Sequence, residues 1–492
     1  MAQRNTRVAA ASRGWLLREI GATLALSGPI VATNLAINFM STTDVMLLGW
    51  QSPDALAAGA LGQNLYLPVF LFCIGVMGAV APIAASLIGA DPGDAAGLRR
   101  ICHQAFLSVF ALAVPAWALL WNARAILVAI GEPSDLAAGV GTYMHGLQWA
   151  LAPALFYFTA RSVFSALNRT APILIAALLA VGFNALANYA LIFGHFGAPA
   201  WGLFGSGIAT TLSQTVMLLA LAAYSFLDPR LRGFDLFTSL PRPDGPALAR
   251  LWRLGLPIGA TIAAEVSIFA AAGVAMGLIG ERQLEAHSIA LQISATAFMI
   301  PLGLGQAASV RVGHAFGARD AVAVSRAGWV AFAVTLAYVA LSASAMLGAP
   351  RLLIAPFLDA AAPGAAEVVP LAVAFLGIAA IFQLFDGAQA ALSNMLRGVH
   401  DSRWPMMMAL LGYWAVGAPI GLALAFLTPL RGLGLWIGLA CGLAAVSLQL
   451  LWRWRRKERL GFLERPRSPA SAPVDAIPAA AESDAGQQEP SP

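Results

Sequence analysis

Twelve long, mostly apolar stretches run through this chain with short polar connections between them, and they settle its solvent before any motif is read. They cover residues 20–48, 59–88, 104–121, 144–165, 172–193 and 202–226, then 254–279, 286–310, 327–347, 368–393, 406–427 and 433–451. A helix needs about 20 such residues to cross the hydrocarbon core of a bilayer. With 59% hydrophobic residues, 11% charged residues and a mean hydropathy of +0.75, the chain lies far outside the range of water-soluble domains. Lipid offers no partner to an unpaired backbone group, so each stretch is expected to be helical, and the alternating pattern of a membrane barrel is absent. The expected fold class is an all-α membrane protein of twelve transmembrane helices.

An even number of spans puts both termini on one side of a bacterial inner membrane, and positive charge should mark that side as cytoplasmic. Of the 29 basic residues, 25 fall at the termini or in and beside the even-to-odd connections, from Arg4 to Arg467; the opposite side holds only Arg124, Arg282, Arg351 and Arg431. The net charge of +5 is therefore topogenic and is no nucleic-acid footprint, which needs basic residues clustered on a soluble face. The first apolar run is too long for a signal peptide and reads as an uncleaved span. Three cysteines, Cys73, Cys102 and Cys441, lie in or beside apolar helices and suggest packing residues.

The longest interior polar segment, 227–253, divides the chain into a segment 1–19, a six-helix lobe 20–226, that linker, a second six-helix lobe 254–452, and a basic then disordered tail 453–492. The halves echo each other at an offset of 228: Pro29 and Ile30 answer Pro257 and Ile258, and Gly89 and Ala90 answer Gly317 and Ala318. Six spans per half make the copies parallel, and such repeats place a solute path at their interface. From Ser468 the composition turns to Pro, Ala, Ser and Gln with Asp475, Glu482, Asp484 and Glu489, too polar to form a core.

Only Asp44, Glu265 and Asp386 put a carboxylate within a span. An intramembrane charge costs at least ~2.5 kcal/mol, so each is a candidate proton or cation site able to couple transport to an ion gradient. The plainer alternative is an interhelical hydrogen bond, or, for Asp44 six residues before Trp50, a side chain reaching the interface. Asn184 and Asn188 share one helix face, as do Asn34 and Asn38; each pair can serve a cation, a neighbouring acid or helix–helix packing. On a straight helix Asp44 lies about 120° round from Asn38. The sole lysine, Lys457, leaves no P-loop for ATP, and HExxH, CxxC and GxSxG are all absent, so neither an enzyme nor a bound cofactor is expected.

The segments TTDVMLLG (42–49), LPVFLFCIGVMGAVAPIAASLIGA (67–90), NALANYALIFGHFGAPAWGLFGSGIAT (184–210), GLGQAASVRVGHAFGA (303–318) and FDGAQAALSNMLRGVHDSRWP (385–405) resemble the multidrug and toxic compound extrusion transporters, in their NorM-like bacterial branch. The resemblance covers residues 20–452. It implies a V-shaped pair of lobes around a central cleft, and export of cationic or amphipathic compounds in exchange for Na+ or H+. By position, Asp44 matches the family's helix-one acid, Asn184 and Asn188 its helix-five polar pair, and Glu265 and Asp386 its helix-seven and helix-ten acids. Two departures stand out: Ser86 replaces a glutamine, and Val399 and His400 replace an aromatic–basic pair. The expectation is an antiporter acting as a monomer in the bilayer on a small cationic substrate, with Na+ or a proton at Glu265 and Asp386 and a polar site at Asp44, Asn184, Asn188, Asn34 and Asn38. The alternative is a flippase for a lipid-linked precursor.

Overall fold

The computed structural model describes residues 2–237, 242–358 and 364–457, with the side chains of 2–13 and of Arg230 left out. The tail from Ser468, expected to be disordered, lies outside the described residues. Twelve helical passes follow one another: α1 (Ala2–Gln51), α2 (Pro53–Ala90), α3 (Ala95–Trp121), α4 (Ser134–Ala166), α5 (Ala171–Phe193), α6 (Gly202–Leu227), α7 (Gly245–Ile279), α8 (Glu281–Gly317), α9 (Ala321–Gly348), α10 (Ala365–Gly398), α11 (Arg403–Leu427) and α12 (Gly432–Arg455). Several outrun their apolar stretch; α7 begins at Gly245, inside the segment read as linker, capped by the Asp244 side chain on the Ala247 N–H.

Among the described residues, eleven of the twelve are long and apolar enough to cross a membrane as single helical passes. The remaining pass, α4, is broken into Ser134–Leu147 and Leu151–Ala166 by a 3-10 turn over Gln148–Ala150. Proline explains the break: Pro153 has no N–H for the Trp149 carbonyl and its ring crowds that turn. The same logic holds where Pro82 follows the interruption at Gly78 and Ala79 in α2, and where Pro419 ends the seven-residue π segment Leu411–Gly417 of α11. All three cysteines are free thiols.

The helices form two bundles, each with its own apolar core, and the bundles meet along α1, α2, α7 and α8. The contact obeys the 228-residue repeat. A Cβ on Gly89 would lie 2.0 Å from the His314 carbonyl oxygen, and one on Gly317 would lie 1.9 Å from that of Ser86; Gly89 and Ser86 stand 228 residues before Gly317 and His314. Gly75 against Gly259, and Gly303 against Val31, form a second pair under the same shift. α2 and α8 therefore cross on a pseudo-two-fold axis, and only glycine allows two helix backbones so close.

Polar contacts add to this joint at the end bearing the start of α1. Arg311 of α8 pairs with Glu19 and bonds Thr23 of α1, His314 meets the Ala166 carbonyl at 2.7 Å, and His400 meets the Pro82 carbonyl at 3.3 Å.

Candidate functional site

The first lobe gathers its polar residues around one carboxylate. Asp44 is 1% exposed. Its Oδ1 accepts from Asn188 Nδ2 at 2.7 Å and its Oδ2 from Thr210 Oγ1 at 2.9 Å, so α1, α5 and α6 each supply one group. The Asn188 amide also bonds the Asn184 carbonyl at 3.0 Å, one turn earlier. Asn184 faces the same carboxylate and acts on it, and among the described residues neither of its buried side-chain polar atoms meets a partner at full hydrogen-bond geometry. Thr210 Oγ1 is also 3.2 Å from the Ser206 carbonyl. A hydroxyl has one proton, so it can donate to Asp44 when that acid is ionised, or turn to Ser206 and accept from Asp44 when it is protonated. Both charge states of Asp44 are thus satisfied by one rotor.

Asn34 and Asn38, expected to join this group, lie elsewhere. Asn34 Oδ1 accepts from Arg161 Nη2 at 2.7 Å, and that same nitrogen donates to Gln306 Oε1 at 2.8 Å. Arg161 is 6% exposed and joins α1 and α4 of one lobe to α8 of the other through neutral acceptors. The Asn38 side chain is half-buried and makes no hydrogen bond among the described residues.

The second lobe assembles two acids. Asp386 on α10 is buried, with Oδ1 unpartnered among the described residues; Glu265 on α7 is half-buried and acts electrostatically on it. The Arg397 guanidinium, three turns along α10 on the same face, acts on Glu265. Tyr413 of α11 is 3% exposed, its hydroxyl has no hydrogen-bond partner among the described residues, and all three charges act on it. The π segment carries Tyr413, and an added residue in a helical turn is a common way to re-aim a side chain at a functional site. Two carboxylates against one guanidinium leave an excess of one negative charge, and orphaned oxygens on Asp386 and Tyr413 can receive a cation or a proton.

Sequence reasoning missed Thr210, Arg161, Arg397 and Tyr413. Thr210 ends a segment quoted for its family resemblance, and spacing alone did not aim it at Asp44; Arg161 and Arg397 were counted as topological markers near helix ends. Tyr413 carried no signal, because a tyrosine in an apolar span does not announce the π segment that carries it.

Against known proteins, the MatE family model matches twice, over residues 29–190 and 257–422, so its two starts repeat the 228-residue offset. The chain therefore belongs to the MatE family, the multidrug and toxic compound extrusion transporters. It is 47% identical over 443 residues to a probable multidrug resistance protein NorM of Mesorhizobium japonicum, covering 90% of this chain and 95% of that one. A protein of the same description from Brucella suis is 44% identical over 439 residues, covering 89% and 93%. Among solved structures, the eukaryotic MATE transporter AtDTX14 superposes with a TM-score of 0.81 at 22% identity, covering 90% of this chain and 98% of that one. A multidrug resistance MATE family transporter in an outward-facing conformation gives 0.80 at 19%, covering 91% and 98%. These likenesses establish the two-lobed, twelve-helix membrane fold.

Proposed function

We propose that the chain is a secondary antiporter that exports cationic or amphipathic compounds across the inner membrane, driven by Na+ or protons entering in exchange. The observation that carries the reading is the uncompensated negative charge in each lobe: Asp44 among neutral donors, and Glu265 with Asp386 against Arg397 alone. In hydrocarbon such a charge is costly until a cation or proton arrives. Glu265 and Asp386 would hold Na+ or a proton in the second lobe, and Asp44 with Asn184, Asn188 and Thr210 would exchange one in the first. The relatives' description as multidrug resistance proteins supports the substrate class. The distribution of basic residues supports a cytoplasmic location for both termini, and the carrier is proposed to act as a monomer.

Coupling requires that ion and substrate favour different openings of the cleft between lobes. The test is efflux of a fluorescent cationic dye from proteoliposomes under separately imposed Na+ and proton gradients. Export by the intact chain under one gradient, abolished in Asp386→Asn with insertion unchanged, is the expected result. Normal driven export by the variant would remove Asp386 from the ion site, and folded protein indifferent to both gradients would favour a lipid-linked substrate.

A further inference from the structure

The first helix of one lobe and the third of the other leave a groove between them. The start of α1 and one face of α9 enclose a cavity of about 470 Å³, with Trp15 and Ile20 on one wall and Trp329, Ala333 and Ala337 on the other. Ser325, Trp329, Ala333 and Ala337 follow at intervals of four residues, so they line a single stripe of α9. Ala333 and Ala337 are exposed, and their small side chains form a channel that larger ones would fill. From Arg326 to Ala337 the helix advances about 16 Å, which matches one leaflet, half of a hydrocarbon core about 30 Å thick.

The mouth of the groove carries charge. Arg326 is exposed, its guanidinium lies 5.0 Å from the Trp15 ring centroid, and it has no acidic partner among the described residues. Neither helix supplies one: α9 contains no acid, and the only acid of α1 before Asp44 is Glu19, which pairs with Arg311 of α8. In the first half the chain itself covers the matching surface of α3. There Arg99 pairs with Asp235 of the linker at 3.4 Å, and Phe237 packs on Phe106, which stands 228 residues before Val334.

Both Trp15 and Arg326 precede the apolar stretches of their helices, which begin at residues 20 and 327. That is the level of the lipid headgroups, where tryptophan and basic residues gather. A guanidinium resting on an indole keeps its N–H edge free, and its fork of donors fits a phosphate. A basic pocket between helices, continued by an apolar channel one leaflet deep, has the chemistry of a phospholipid site.

We propose that one anionic phospholipid occupies this groove, with its phosphate on Arg326 and the Ser325 hydroxyl and one acyl chain along Ala333 and Ala337. Naming its leaflet as cytoplasmic rests on the orientation proposed above; the site itself does not. Because α1 belongs to the first lobe and α9 to the second, the lipid fastens the lobes together at the end where Arg311 already holds Glu19.

The test titrates the full chain, purified in detergent and stripped of lipid, with phosphatidylglycerol or phosphatidylethanolamine of identical acyl chains. Bound lipids are counted by native mass spectrometry. The intact chain should take one phosphatidylglycerol about fivefold more tightly than phosphatidylethanolamine, the ratio expected for one arginine at a membrane surface. Arg326→Gln should remove that preference, and Ala333→Trp, at an exposed position, should weaken both lipids with the melting temperature unchanged. Equal affinity of the intact chain for the two lipids, or a preference that survives in Arg326→Gln, would overturn the proposal. So would displacement of the lipid by an equal concentration of glycerol phosphate, which would mark a site for free phosphate. Binding that emerges only in a chain ending at Lys457 would likewise overturn it, by making the following residues the occupant. None of these readouts involves export, so their failure leaves the antiport reading standing.

Discussion

At the residue scale, the first lobe's site is an acid whose hydrogen bonds survive a change of charge. Thr210 is the pivot, because its hydroxyl can face either the Asp44 carboxylate or the Ser206 carbonyl. Thr210→Val keeps the shape and removes the rotor, leaving one buried carboxylate oxygen unsatisfied at a cost of about 1–3 kcal/mol. The expected outcome is a lower melting temperature in detergent and weakened driven export, with Thr210→Ser restoring both; a melting curve and an efflux rate unchanged in Thr210→Val would refute the assignment. The acids themselves were legible in the sequence, since an intramembrane carboxylate is rare enough to stand out. Their partners were not, because a threonine or an arginine inside a span declares its neighbour only once the helices pack. Asn34 shows the limit from the other side: it repeats the spacing of Asn184 and Asn188, yet it serves Arg161.

At the element scale, hydropathy gave the number of passes but not their interruptions, since Pro29, Pro68, Pro115, Pro257, Pro301 and Pro370 sit inside continuous helices. The expected span 144–165 straddles the 3-10 turn before Pro153, so its apolar character was plain while its break depended on one ring in one turn. The turn between α10 and α11 carries the clearest dependence on acidity. Burial pushes His400 down to about 4 from its ordinary value of 6.5, Arg250 adds to the effect, and its bond to the Pro82 carbonyl partly opposes them. The folded chain thus holds His400 neutral. Folding with the buried imidazole neutral carries no penalty above about pH 6.5, and stability is lost as the pH falls towards 4 and the burial opposes protonation. Melting temperatures followed over that window should drop less steeply in His400→Phe, which keeps the edge contact with Phe316 and cannot titrate; parallel slopes would show that the acid sensitivity lies elsewhere.

At the scale of the whole molecule, the repeat copied the scaffold and left the chemistry to diverge. Asp44 corresponds under the 228-residue shift to Ala272, and Glu265 to Ile37, while Asn184 falls at Gly412 beside Tyr413. The two-fold joint is the part that both halves kept. Gly317→Val would force a side chain into the Ser86 carbonyl, and overpacking of this kind costs about 1–3 kcal/mol. The lobes should still insert and fold while export fails, whereas normal export would show that the close crossing is dispensable. The joint also sets a mechanical scale. α8 is 37 residues long and is held to the other lobe from Gly303 to Gly317, which leaves a stiff arm of about 33 Å, so a tilt of about 10° there would swing its free end by about 6 Å. Leverage of that order turns a sub-ångström adjustment between two glycine backbones into a mouth wide enough for a drug-sized molecule.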